Sequence, residues 1–220
     1  MKSNLTSSSI FLGMFCCILI FSCNNKTIEK TPTSEQRKVA KEKTIENMLS
    51  AYKAEKTSIA KYEAFSKKAE EDGFHNVALL YNAAAASENI HAINHKAVIE
   101  DDGGTLPIFT PQFQVNSTKE NLENNIKEET LAAKTKYPDY LKTAEIAEDL
   151  IAHLSLTYAM KTEQKHKFFF EQALGDINSN TLNSLPSKYY VCPACGNIYT
   201  DAPRHCDFSL TDREKFIVFQ

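Results

Sequence analysis

Between residues 44 and 100 the apolar side chains recur at helical intervals. Ile45, Leu49, Tyr52, Ile59, Tyr62 and Phe65 stand three, four or seven residues apart, the spacing of one buried helical face. Glu-Asp-Gly-Phe at 71–74 breaks the pattern, and Gly73 is free to take the positive φ of a turn. A second apolar set, Val77, Leu80, Tyr81, Ala84, Ile90 and Ile93, predicts a second helix, closed by Glu-Asp-Asp-Gly-Gly at 100–104. Residues 101–116 hold two Gly and two Pro and lose the period, so they read as a long connection. Ser117-Thr-Lys-Glu120 has the form of a capping box and starts a third helix, with a kink expected at Pro138. A fourth helix is expected from about 147 to 173, ending at Gly175, with the preceding turn somewhere in 144–149. Two helical pairs joined by a long crossover predict a mainly α, four-helix bundle.

The flanks change the picture. Lys2, an apolar run over residues 10–21 and the pair Ser22-Cys23 look like a bacterial lipoprotein signal. The run is short for a membrane-spanning helix. The expectation is therefore a signal peptide over 1–22, lipidation of Cys23, and a domain held outside the cytoplasm on a membrane anchor. Residues 24–43, rich in Lys, Thr and Glu, read as a flexible tether, with the bundle over 44–178. The net charge of −3 gives no electrostatic footprint for nucleic acid. Of six cysteines, Cys16, Cys17 and Cys23 belong to the leader and its processing site. Only Cys192, Cys195 and Cys206 remain for the folded part, an odd number that argues against a simple disulfide framework.

Two Glu-x-x-His pairs, Glu88 with His91 and Glu163 with His166, fall in the second and fourth helices. Three residues is slightly under one helical turn, so each pair points one way. Glu55 lies 33 residues before Glu88, and Glu129 lies 34 before Glu163. Both halves of the bundle thus carry the same layout, a glutamate on one helix and Glu-x-x-His on the next. Four carboxylates and two neutral imidazoles match the charge and the donor types of two divalent ions such as iron in a low-dielectric core. Tyr62 and Tyr137, seven and eight residues or about two turns from Glu55 and Glu129, are placed to donate hydrogen bonds to those carboxylates. His95, one turn beyond His91, is left outside the set because six ligands complete the template.

Near the C-terminus, Cys192-Pro-Ala-Cys195 is followed by Cys206-Asp-Phe-Ser209, three thiols and a hydroxyl where four thiols are expected. Ser209 can ligate through oxygen; His205 and Asp207 are poorer candidates beside Cys206. Iron, zinc, or no metal with a Cys192–Cys195 disulfide all remain open for this knuckle.

Taken as a set, Ala-Glu-Lys-Thr-Ser-Ile-Ala-Lys-Tyr around Glu55, Ala-Ser-Glu-Asn-Ile-His around His91, Lys-Glu-Glu-Thr-Leu around Glu129 and Lys-Thr-Glu-Gln-Lys-His around His166 resemble rubrerythrin. The tail Tyr-Val-Cys-Pro-Ala-Cys-Gly adds the second domain of that family, over 188–220. The resemblance implies a ferritin-like di-iron bundle followed by a rubredoxin-like metal knuckle of short β strands. It further implies two Fe ions, reduction of hydrogen peroxide to water, and electrons returned through the knuckle, often across a homodimer, from an electron donor that lies outside the cytoplasm here. The chain departs from the family twice. Ala132 stands where the family usually has a further carboxylate, so the site looks more like that of a bacterioferritin; and Ser209 replaces a cysteine. Both departures favour oxidation of Fe2+ as an alternative function, and a non-catalytic iron-binding lipoprotein is the third.

Overall fold

Residues 31–181 and 185–220 are described by a computed structural model. The leader, Cys23 and the first part of the expected tether lie outside them. Among the described residues no helix is long and apolar enough to cross a membrane.

Helix α1 spans Ser34–Glu71 and α2 spans His75–Asp101. Helix α1 starts ten residues before the expected bundle boundary, so residues 34–43 are not a tether. Thr33 caps the helix: its hydroxyl accepts from Gln36 N and the Gln36 side chain accepts from Thr33 N, a complete capping box. Ala40 is buried, and Arg37 and Lys41 reach Glu148 and Asp102. The added turns are thus packed as well as capped. Gly73 takes φ +81° in the turn before α2, as expected.

After the long connection, α3 (Thr118–Leu131) starts at a capping box on Ser117 and Glu120. It does not simply kink at Pro138. One turn of π-helix, Ala132–Lys136, intervenes before α4 (Tyr137–Ile146), which carries Pro138 in its first turn. The chain stays helical across this stretch, and the wider turn lies just before Pro138, whose ring would otherwise crowd the carbonyl of the preceding turn, so the irregularity falls one turn earlier than the sequence suggests. Helix α5 spans Leu150–Ser179, capped by Asp149, and runs through Gly175 to Asn180 at φ 57°. It is therefore longer than expected at its C-terminal end.

Two apolar clusters fill the bundle, and they lie on either side of a polar layer. One is built on Tyr62, Tyr81, Phe170 and the alanines of α2; the other on Met48, Ile99, Ala152 and Leu156. The change from one cluster to the other brackets Glu55 on α1 and Glu163 on α5, and on α2 it falls between Ile90 and Val98, around His91 and His95. Strands β1 (Tyr189–Val191), β2 (Ile198–Tyr199) and β3 (Ile217–Phe219) form an antiparallel sheet in the order β2-β1-β3. Tyr189, Val191 and Ile198 belong to the first cluster, so the knuckle shares its core with the bundle.

Candidate metal centre

All six predicted ligands are buried in the polar layer. Glu55, Glu88, His91 and Glu163 present donor atoms within 4.8 Å of one another, and so do Glu88, Glu129, Glu163 and His166. Glu88 and Glu163 are common to both groups, which makes two adjacent positions bridged by two carboxylates. Both histidines face the cluster through Nδ1: His91 lies 2.9 Å from Glu88 Oε2, and His166 lies 3.1 Å from Glu163 Oε2 and 3.3 Å from Glu88 Oε1.

The tyrosines donate as expected, but crosswise. Tyr62 on α1 donates to Glu129 on α3, and Tyr137 at the start of α4 donates to Glu55 on α1. The π turn explains how Tyr137 reaches inward. Eight residues of regular helix would rotate it about 80° away from Glu129; one extra residue in the turn takes up about 100° and restores the common face.

Four carboxylates packed together without a counterion disfavour ionisation. Burial pushes Glu88 up to about 8, against the pull of His166. Burial and the nearby Glu163 hold Glu129 well above the ordinary carboxylate range, and burial with Glu88 and Glu55 does the same to Glu163. Glu55 goes the other way: burial opposes its charge, but His95, His91 and the Tyr137 hydroxyl outweigh it. Burial also lowers His91, keeping it neutral with a free lone pair. This donor set fits two divalent cations, whose charge would replace the protons that burial otherwise retains.

A cavity of about 750 Å³ leads from exposed Lys127 and Lys136 to Glu55, Glu129 and Glu163. Ala132 is on its wall, so no carboxylate projects there. Lys61, also on the wall, is buried and paired with Glu128. Its burial leaves no mark on the sequence, where a lysine on a charged helix looks like a solvated one.

The knuckle places Ser209 at the fourth corner. Cys192, Cys195 and Cys206 are free thiols with sulfurs within 4.8 Å of one another, and Ser209 Oγ lies 3.2 Å from Cys192 Sγ. The two half-sites match. Gly196 N donates to Cys192 O and Leu210 N to Cys206 O, with φ +77° and +59° at the fifth residue of each. Ser209 thus corresponds to Cys195. His205 turns outward to Asp212 at 2.9 Å, half exposed, and is not a donor to this cluster.

The knuckle also touches the dinuclear cluster. Three successive carbonyls meet three side chains of α2: Asn94 Nδ2 donates to Ala194 O (2.9 Å), His91 Nε2 to Cys195 O (3.1 Å) and Ser87 Oγ to Gly196 O (2.6 Å). Ser87 Oγ in turn lies 3.0 Å from His166 Nε2. Ser87 and Asn94 escaped the sequence reading because their partners are backbone atoms about a hundred residues away. His95, outside the six-residue set, is wholly buried; its Nδ1 is 2.8 Å from Ser155 Oγ and its Nε2 3.5 Å from Glu55 Oε1.

Residues 46–174 match the rubrerythrin family. This chain belongs to that family. Rubrerythrin-2 of Clostridium acetobutylicum is 30% identical over 178 residues, 80% of this chain and 96% of its own length. Nigerythrin of Nitratidesulfovibrio vulgaris is 29% identical over 163 residues, 74% of this chain and 79% of its own. A structure of fully reduced, all-ferrous nigerythrin superposes with a TM-score of 0.72 at 27% identity, over 80% of this chain and 86% of that one. The bacterioferritin of Desulfovibrio desulfuricans shares the fold, with a TM-score of 0.60 at 21% identity, over 68% of this chain and 88% of that one. The ferritin-like bundle with a small cysteine-bearing strand region is the fold expected of the rubrerythrin family.

Proposed function

We propose that this protein is a di-iron peroxide reductase whose electrons arrive through the C-terminal knuckle. The observation that carries the proposal is the convergence of six buried ligands, with one of them, His91, hydrogen-bonded to the backbone of a knuckle cysteine. Two ferrous ions, when bound, supply the two electrons that, with two protons, convert hydrogen peroxide into two waters. The cavity admits a small polar substrate to the Glu55, Glu129 and Glu163 side. Tyr62 and Tyr137 fix the orientation of Glu129 and Glu55, and apolar clusters flank the layer on either side. The Cys195 carbonyl and the His91 ring make a short through-bond route between knuckle and cluster. Cys192, Cys195 and Cys206, with Ser209 beside Cys192, would hold an iron ion in the knuckle that could complete that route, and an oxygen donor would favour its ferric form.

The test is anaerobic single turnover. Ferrous-loaded protein mixed with hydrogen peroxide should consume one peroxide per two ferrous ions, and a reduced one-electron donor should then sustain turnover. Consumption that stops after the added Fe2+ is spent, whatever donor is present, favours the ferroxidase reading, which Ala132 on the cavity wall supports. Iron binding with neither reaction leaves a non-catalytic iron-binding protein.

We further propose that the chain is exported and anchored through lipidated Cys23, on the signal pattern of residues 1–23. Mass spectrometry of the membrane-extracted protein should find a diacylglyceryl-type modification on an N-terminal Cys23. A soluble protein retaining Met1 contradicts this.

A further inference from the structure

Three buried histidines surround the polar layer, and all three are built alike. His91 and His166 each send one ring nitrogen to the carboxylates and hold the other on a fixed partner, Cys195 O and Ser87 Oγ. Such an outer hydrogen bond sets the tautomer and aims the inner nitrogen. His95 has the same construction. Its Nδ1 is held 2.8 Å from Ser155 Oγ, its ring is wholly buried, and its Nε2 makes no hydrogen bond although it lies 3.5 Å from Glu55 Oε1. A buried ring nitrogen without a partner is costly, and the side chain points where it would find one. Glu55 belongs to the four-residue group Glu55, Glu88, His91 and Glu163; His95 stands outside that group and reaches it only through Glu55, so ligation would draw its ring inward past Glu55.

We propose that His95 is a seventh protein ligand of the dinuclear centre, giving a second imidazole nitrogen to the metal position held by Glu55, Glu88, His91 and Glu163, an assignment that rests on the dinuclear reading above. In this state Nδ1–H donates to Ser155 Oγ and the Nε2 lone pair faces the metal. The centre is then asymmetric, with two nitrogens at one position and one at the other. The imidazole adds a donor without adding charge, so the position with His91 and His95 favours the lower oxidation state compared with its neighbour. Sequence spacing carries the same hint, since His91 and His95 are four residues apart on one face of α2.

The experiment counts ligated histidines directly. Anaerobic, Fe2+-loaded, histidine-15N-labelled protein is examined by paramagnetic NMR in H2O and D2O for strongly shifted imidazole N–H signals. The three rings are buried, so their N–H protons exchange slowly enough to be seen. Three shifted N–H signals are expected in the wild type, and one of them should be lost in His95→Gln. Two signals in the wild type, with a third His N–H at an ordinary diamagnetic position, overturn the proposal and leave His95 as a hydrogen-bond donor to Glu55. No shifted signal overturns the dinuclear reading together with it. The wild-type count decides between these results even if His95→Gln folds poorly, and Ser155→Ala provides a second check: it should shift the His95 signal and leave the other two in place.

Discussion

Replacing Gly196 with alanine attacks the joint between knuckle and bundle at one atom. A Cβ at Gly196 would sit 2.6 Å from His91 Nε2 and 2.9 Å from Ser87 Oγ, contacts that real Cβ atoms essentially never make, and 3.0 Å from His91 Cδ2. The residue also has φ +77°, a left-handed conformation that costs an L-residue about 1–2 kcal/mol. Relief requires His91 and Ser87 to withdraw, which breaks the bonds to Cys195 O and Gly196 O. Leaving the buried His91 N–H without an acceptor costs roughly 1–3 kcal/mol. The φ strain belongs to the knuckle's own turn and is the same docked or undocked, so the second term sets the effect, roughly a 5- to 140-fold loss in the ratio of docked to undocked knuckle. Amide hydrogen exchange reads that ratio residue by residue. Protection across residues 192–199 should fall by this factor in Gly196→Ala, while the amides around Met48 and Leu156, in the far apolar cluster, keep theirs. Knuckle protection within threefold of wild type would refute the reasoning, because it would mean that the carbonyls of 194–196 do not depend on close approach to α2.

The metal-free protein should lose stability as pH rises. Glu88 is raised to about 8 in the folded chain, so its contribution is whole below the ordinary value of 4.5, fades above it and is gone once the group ionises near pH 8. Glu129 and Glu163 are shifted the same way. Urea unfolding of the apoprotein at pH 5 and pH 8.5 should show this decline, and Glu88→Gln should flatten it; a wild-type apoprotein that gains stability relative to Glu88→Gln over that interval contradicts the charge account. Tyr62→Phe and Tyr137→Phe each remove the hydroxyl that orients Glu129 or Glu55. Each should weaken Fe2+ binding by about 10- to 100-fold in an anaerobic titration, by the usual weight of such outer hydrogen bonds; unchanged affinity in both would show that the crossed tyrosines are spectators. Ser209→Cys, loaded with iron, should gain the red absorption of a four-thiolate iron centre that the wild type lacks. Identical visible spectra would mean that Ser209 does not occupy the fourth corner.

The dinuclear set was legible because its signals are local. Two Glu-x-x-His pairs at helical spacing, each preceded by a glutamate one helix earlier, fix four faces of four helices, and the structure brings all six side chains together. The early start of α1 was also written in the chain, as Thr33 and Gln36, but the Lys- and Glu-rich composition around them masked the cap. The π turn had no such signal. Ala132–Lys136 contains neither Gly nor Pro, and the extra residue is favoured by the tertiary bond from Tyr137 to Glu55 rather than by local propensity. For the same reason the crossing of the tyrosines was hidden: spacing tells which side chains share a face, not which helix stands opposite. The docking of the knuckle through three backbone carbonyls was illegible altogether, because main-chain acceptors leave no mark on residue identity, although the requirement for glycine at 196 is its one visible trace.

The most direct test is crystallography of the anaerobically Fe2+-loaded protein with anomalous scattering at the iron edge. Two iron peaks are expected inside the bundle, one among Glu55, Glu88, His91 and Glu163 and the other among Glu88, Glu129, Glu163 and His166, with Glu88 and Glu163 shared. A single peak in that layer, or iron located only at surface carboxylates, would contradict the reading of the layer as a dinuclear centre.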